Sequence, residues 1–448
     1  MSAASAPAQL PRRAALVGGM IGPAAAWALA GCAATERDTL HPPVPQPQDD
    51  LARLRDGSDP IVAGEPLNGS LLRRFYARRG FEPVWEPRQG HADALADAVL
   101  RATDHGLDPE LFHAGLLLRK ATFPALRREL LLSHAVLLYA EALAFGAVPV
   151  DRRKDGEALA PEPLDVAAVL DAALDGPDPV AAIEALAPRT PTYQALRQAL
   201  RRHRSVGRLD QAFAGRLSLI EANLERQRWL PRRLPADRVW VNVADQRLVL
   251  YRDDRPVFTS RVAVGAETER KQSPEFRADI EGAFFNPPWV IPSDIVEAYI
   301  LPRLDQDPEF LMRNNITLLP NGEAEQAPGP TAGLGVILFD MPNRFDVFLH
   351  DTPNRSAFNG ENRRISNGCI RVDNPLELAA VLMDQPLNTI QKEVAKGDTV
   401  RKPLPKPVPV FVVYQTAFAS ADQELEIRPD FYGRDAAVWR HLQKRPPE

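Results

Sequence analysis

Arg344-Phe345-Asp346-Val347-Phe348-Leu349-His350-Asp351-Thr352-Pro353, then a polar loop, then Arg363-Arg364-Ile365-Ser366-Asn367-Gly368-Cys369-Ile370-Arg371-Val372, is the most informative stretch of this chain. Phe345–His350 has the apolar weight of a strand and ends on a histidine, where a side chain can turn toward a cleft. The loop that follows is long enough to bring Cys369 back beside His350. A free thiol titrates near ~8.5 and is only a few per cent thiolate at neutral pH, so a neighbouring imidazole that takes its proton makes it a nucleophile. Gly368 lets backbone amides face an oxyanion. Arg371 shares a strand face with Cys369 and can hold a carboxylate. Taken one at a time, these residues read more plainly as a small buried cysteine and a satisfied strand-end histidine.

The surrounding pattern is β. Val239, Val241 and Val243 alternate, followed by Leu248, Leu250, Val262 and Val264, with turn residues Asp253-Asp254 and Val264-Gly265-Ala266 between them. Period-two alternation between turns predicts antiparallel strands, with more at 276–280, 336–339, 345–350 and 410–414. A short helical reading falls at 293–304, and 320–335 is a Gly/Pro-rich loop long enough for a flap. Before Pro235 the period is helical. The clearest case is 127–145, with Leu130, Leu131, His134, Leu137, Leu138, Glu141 and Ala142 on one stripe. Helices are also predicted at 165–174, 180–186, 193–203 and 213–228, as a bundle whose Ala/Leu stripes face its core. His91, His105, His113, His134 and His203 lack metal-ligand spacing and read as surface or cap histidines, so no metal is expected.

The motifs resemble a known family. Ser366-Asn367-Gly368-Cys369-Ile370-Arg371 is similar to the Ser-His-Gly-Cys-x-Arg signature of YkuD-type L,D-transpeptidases, and His350-Asp351-Thr352 to the His-x-Thr element preceding it. The likeness extends to the large YcbB-like branch. Phe75-Tyr76 to Trp85, His105 to Pro109 and Asn223 to Trp229 resemble its helical part; Asn286 to Pro292 and Tyr432 to Asp435 resemble its catalytic part. The resemblance implies a multidomain α+β protein, a helical scaffold domain followed by a mainly β catalytic domain with a cap insertion. The boundaries expected are 61–234 for the scaffold, 235–416 for the catalytic domain with its cap at 287–335, and 417–448 for a tail.

It also implies a reaction and roles. Cys369 would take up the third residue of a peptidoglycan tetrapeptide stem as a thioester, and a second stem's amine would resolve it into a 3→3 cross-link. His350 is the implied base, oriented by a backbone carbonyl, so Asp351 is not a third triad member. Gly368 and Cys369 amides are the implied oxyanion donors, and Ser366 fixes the loop. Arg371 and Arg363 hold the donor stem or the loop, while Trp289 belongs to the cap. No cofactor is implied. Three departures stand out. Asn367 replaces the usual histidine, and the peptidoglycan-binding module is missing between 203 and 217, so an envelope partner could replace it. The cap tail is only partly echoed in Glu325–Gly329. The same fold also admits a hydrolase that trims stems or cleaves cross-links, and a degenerate wall-binding lipoprotein is a third reading.

The rest of the chain fits export. Residues 1–31 carry Arg12 and Arg13 as their only charges, then an apolar run ending Leu29-Ala30-Gly31-Cys32, which resembles a lipobox. The expectation is a signal at 1–31, lipid on Cys32 and a Pro-rich tether over 32–60. The mature protein would sit in the periplasm, at the outer membrane by the sorting pattern of Ala33. With Cys32 lipidated, Cys369 is the one remaining thiol of the two cysteines. The 448 residues, 45% hydrophobic and 25% charged, suffice for two or three domains, and proline, at 43 residues, is about double its usual share. A net charge of −5 argues against nucleic acid as a partner.

Overall fold

A computed structural model describes residues 49–205, 211–420 and 422–443; the expected leader, Cys32 and residues 32–48 of the expected tether lie outside them. The tether's described part is no tether, because Asp49–Arg55 is a helix that buries Leu51 and Leu54 in the helical core. Helices fill the first half because small apolar residues recur at helical spacing and short polar side chains cap their starts. Asn68 accepts from the Leu71 amide at 3.1 Å ahead of Gly69–Ala77. Asp165 accepts from the Ala167 amide at 3.1 Å ahead of Val166–Leu174, and Asp178 from Ala181 at 2.9 Å ahead of Pro179–Glu184. The central helix, Ala125–Phe145, is buried on nearly every side. Its carboxylate Glu129 is satisfied inside the core by the Val84 amide (2.8 Å), the Trp85 amide (3.2 Å) and the Tyr76 hydroxyl (2.8 Å).

The histidine expectation needs correction. His105 and His134 are buried, and His113, although at a cap with φ of 60°, turns its ring inward. His105 Nδ1 lies 2.8 Å from the Tyr193 hydroxyl, and His134 bridges the Asn68 amide (2.9 Å) and His113 (3.1 Å). A neutral imidazole can satisfy a donor and an acceptor inside a helical core, so burial is not barred to it.

From Arg238 onward the chain builds a nine-stranded sheet in the order 364–366, 255–265, 370–372, 349–350, 337–340, 276–285, 400–413, 238–242, 247–252. Arg255–Gly265 pairs with 247–252 along its first half and 370–372 along its second, so the sheet closes on itself. The all-antiparallel expectation fails at three pairings: 349–350 with 370–372, 364–366 with 255–265, and 400–413 with 238–242 are parallel. Parallel neighbours need a long return connection. The loop after His350 supplies one, and the helices Pro375–Leu382 and Leu387–Ala395 precede 400–413. The strand expected at 345–350 shrinks to Leu349–His350 because Asn343 captures the preceding backbone. Its Oδ1 accepts from the Phe345 amide at 3.1 Å and its Nδ2 donates to the Val347 carbonyl at 2.8 Å.

Val400–Val413 explains why the two halves form one compact unit over 46–448. Val410 and Val412 point into the sheet's core, while Phe411 and Val413 join the helical core. The expected tail is no tail. Ala417–Ala419 and Leu425–Ile427 pair as a hairpin, and helix Arg434–His441 buries Val438 and, just beyond it, Leu442 in the helical core. Residues 320–335, expected as a Gly/Pro-rich loop, contain a strand. Ala324–Gln326 is the middle strand of a small sheet between Trp289–Ile291 and Ile316–Leu318, over a core of Ile291, Val296, Ile300 and Ala324. The helical reading at 293–304 is realised as three short consecutive turns of helix. No helix among the described residues is long and apolar enough to cross a membrane.

Candidate active site

The parallel pairing assembles the site. Leu349 sits opposite Ile370, and both are fully buried in the sheet's core; His350 sits opposite Arg371. Because side chains alternate across a sheet, His350, Arg371 and Cys369 fall together on the other face. The turn that delivers Cys369 is stapled by Ser366, whose hydroxyl donates to the Cys369 carbonyl (2.5 Å) and accepts from the Gly368 amide (3.1 Å). Gly368 takes φ of 122°, a conformation open to glycine. Its carbonyl is held by the Ser273 hydroxyl at 2.7 Å, and Ser273 also accepts from the Gly265 amide at 2.9 Å. Ser273 in turn is held from the C-terminal segment. Its amide donates to the Tyr432 hydroxyl (3.2 Å), and its carbonyl accepts from Arg434 (3.0 Å), which also pairs with buried Glu275 at 3.1 Å.

The electrostatics give a neutral resting pair. Burial, and then the nearby Arg371 cation, lower His350 to about 4, so the imidazole is uncharged at neutral pH. The His350 Nδ1 lies 2.5 Å from the Asp351 carbonyl, and a second backbone contact, from Leu334, also favours the protonated ring, as an accepting carbonyl does. A nitrogen facing a carbonyl must carry the hydrogen, which leaves Nε2 with the lone pair. Burial pushes the Cys369 thiol up, against the opposing pull of the Phe348 amide and Arg371. The thiol rests on the Asp346 carbonyl, Sγ to O at 3.7 Å. Arg371 is half-buried and lowered by that burial; its Nε has no hydrogen-bond partner, and no carboxylate among the described residues pairs with it. A thiol, a neutral base and an unpaired guanidinium on one face are the parts for acyl transfer from a substrate carrying a carboxylate.

Residues 236–405 match the family model of the L,D-transpeptidase catalytic domain, YkuD. The chain carries a YkuD-type L,D-transpeptidase domain. Residues 70–200, ahead of it, match the model of a scaffold domain. A Haemophilus influenzae protein named "Putative L,D-transpeptidase" is 30% identical over 223 residues, 45% of this chain and 45% of its own length. The chain thus spans under half of that curated relative. Among solved structures, the Ldtfm–avibactam carbamoyl enzyme is 12% identical, covering 40% of this chain and 49% of the other at a TM-score of 0.22. An Enterococcus faecium L,D-transpeptidase mutant is 10% identical, covering 40% and 50% at the same TM-score of 0.22. At that score neither likeness carries an argument.

Within the transpeptidase domain, His350, Ser366, Gly368, Cys369 and Arg371 are brought together, while Arg363 is engaged by the loop and Trp289 by the cap. The Arg363 nitrogens donate to backbone carbonyls, Nε to Val262 (3.2 Å), Nη1 to Gly360 (2.9 Å) and Nη2 to Gln246 (3.2 Å), which ties it to the loop. Trp289 packs inside the cap, where a Cβ on Gly333 would stand 2.7 Å from its ring. Asn367 is exposed at the tip of the turn. The Gly368 amide, expected as an oxyanion donor, already donates to Ser366. Ser273 and Arg434 escape a reading of the sequence because they act from segments far away in the chain. The Tyr432–Asp435 likeness was the one signal near them. No group of His, Cys, Asp and Glu among the described residues could hold a metal ion.

Proposed function

We propose that this protein is a cysteine L,D-transpeptidase of the YcbB-like branch, acting on peptidoglycan stems in the bacterial envelope. The observation that carries this reading is the pairing of 349–350 with 370–372, which sets Cys369, His350 and Arg371 on one face beside a cap. Arg371, unpaired, supplies a cation for a stem carboxylate. Neutral His350 takes the thiol proton as Sγ attacks the carbonyl of the third stem residue. The oxyanion faces the Cys369 amide, since the Gly368 amide is engaged. His350 passes its proton to the departing amine of the terminal D-Ala, and the thioester remains. A side-chain amine of a second stem then attacks, His350 receives its proton, and collapse restores the thiol with a 3→3 cross-link formed. The scaffold match ahead of the catalytic domain supports the branch.

The reading extends to a lipid on Cys32, an outer-membrane anchor and an envelope partner that supplies wall binding. The test incubates purified protein with tetrapeptide muropeptides, with Cys369→Ala as the control. Dimers bearing 3→3 links, lost in the variant, are expected. Trimmed monomers alone would make the protein a hydrolase, and no Cys369-dependent product would overturn the enzymatic reading. Mass spectrometry of the protein from a native envelope should show a diacylated N-terminal Cys32, and an unmodified Cys32 would remove the anchor.

A further inference from the structure

Asp351 is buried beside the base, yet its carboxylate does not touch the imidazole. Oδ2 accepts from the Val336 amide at 2.9 Å, and Oδ1 accepts from Arg355 Nη1 at 2.9 Å. Val336 is the last residue of the cap's return path; its carbonyl accepts from the Asn286 amide at 2.9 Å, where the chain leaves the sheet for the cap. The preceding residue is shaped around the carboxylate. Gly335 adopts φ of 64°, and a Cβ there would stand 2.3 Å from Asp351 Oδ2. One residue earlier, Leu334 supplies the second backbone contact to His350. On its other side Arg355 is tied to Asp373 at 3.0 Å, and Asp373 to Arg261 at 2.8 Å, which fixes the start of the loop between His350 and Cys369.

We propose that Asp351 is a positioning residue for His350, its carboxylate clamping the end of the cap against the base so that cap placement and imidazole orientation are one event. This rests on His350 being the base, as in the function proposed above. The backbone carbonyl of Asp351 holds Nδ1 directly, while its side chain holds Leu334-Gly335-Val336 in place through the Val336 amide. A bare backbone turn could orient the ring without a buried carboxylate. The charge is explained by its second task, which anchors Arg355 and with it the loop returning toward Cys369. Displacement of a reacting group by about 1 Å can cost on the order of 10²-fold in rate, so a slack clamp is felt at the thiol.

The test compares wild type, Asp351→Asn, Asp351→Ala and Gly335→Ala by the rate at which a carbapenem adds to Cys369, followed by intact mass across pH. Thermal midpoints and the ¹⁵N chemical shifts of His350 are measured alongside. Asn keeps an acceptor for the Val336 amide but turns a donor toward Arg355, so Asp351→Asn should retain the cap contact, lose the loop anchor and slow addition by only about threefold. Asp351→Ala and Gly335→Ala should slow addition by about 10- to 100-fold. Their acid limb should move up toward an ordinary histidine as water reaches the ring.

The charged groups facing this site are Arg371 beside His350, Arg355 on Asp351, Asp373 with Arg261 beyond it, and Asp346 beside Cys369. Loss of the Asp351 charge alone would move the limb down, so an upward shift separates re-solvation from charge. Unchanged rate and limb in Asp351→Ala would overturn the proposal. So would an equal loss in Asp351→Asn and Asp351→Ala with lower thermal midpoints and an unmoved limb, which marks a merely structural role. A wild-type protein that never reacts overturns the functional reading as well, whereas failure confined to the Asp351 series sinks this inference alone.

Discussion

Arg371→Met tests the electrostatics of the site most sharply. With His350 lowered to about 4, some 90% of the imidazole is neutral at pH 5, whereas an ordinary histidine at about 6.5 would be only ~3% neutral there. Wild-type addition of a carbapenem to Cys369 at pH 5 should therefore keep about nine-tenths of its plateau rate, roughly 30-fold more than an unperturbed base allows. The sign follows from the base having to be deprotonated, so the rate falls as pH drops through the folded value. Burial is the larger cause and remains in the variant; the Arg371 cation is the second, and its removal raises His350. The acid midpoint should climb to between about 4 and 6.5. The plateau should fall as well, because Arg371 also stabilises the Cys369 thiolate. Since the guanidinium lacks an ion-pair partner, its removal should not lower the melting temperature. The assay is the time course of adduct mass from pH 4 to 8. A wild-type midpoint near 6.5, or an Arg371→Met profile identical to wild type, would refute the reasoning.

Other consequences can be measured independently. Ser273→Ala removes the hydroxyl that holds the Gly368 carbonyl, so it should cost about 1–3 kcal/mol in denaturant unfolding and slow Cys369 addition about tenfold. Arg434→Met takes the ion-pair partner from buried Glu275, which keeps the Tyr414 amide and the field of Arg226, and should destabilise by about 3 kcal/mol; a loss under about 1 kcal/mol would contradict the buried pairing. His105 is lowered to about 2, chiefly by burial, against about 6.5 unfolded, so it contributes stability that is lost as pH falls below 6.5. That loss amounts to about 1.4 kcal/mol per pH unit, and His105→Gln should flatten the pH dependence of unfolding by that slope. An unchanged slope would place His105 in contact with water.

The sequence by itself determined the local matters. Alternation at Val239–Val243 and the Ala/Leu stripe through Leu130–Leu138 set strand and helix, because each depends on neighbours a few residues apart. The Ser366–Arg371 and His350–Thr352 motifs named the candidate reacting groups, since thiol and imidazole chemistry belongs to the side chains themselves. Tertiary structure decided what depends on distant partners. Only the parallel register of 349–350 with 370–372 places His350 beside Arg371, and only packing makes the His350 imidazole neutral by burying it. Arg363 and Arg371 look alike in the chain, yet one is consumed by backbone carbonyls and the other left open. The roles of Ser273, Arg434 and Asp351 arise from segments that meet after long excursions of the chain. Pairwise contacts of that kind leave no periodic trace, so they are fixed by the fold and not by the string of residues.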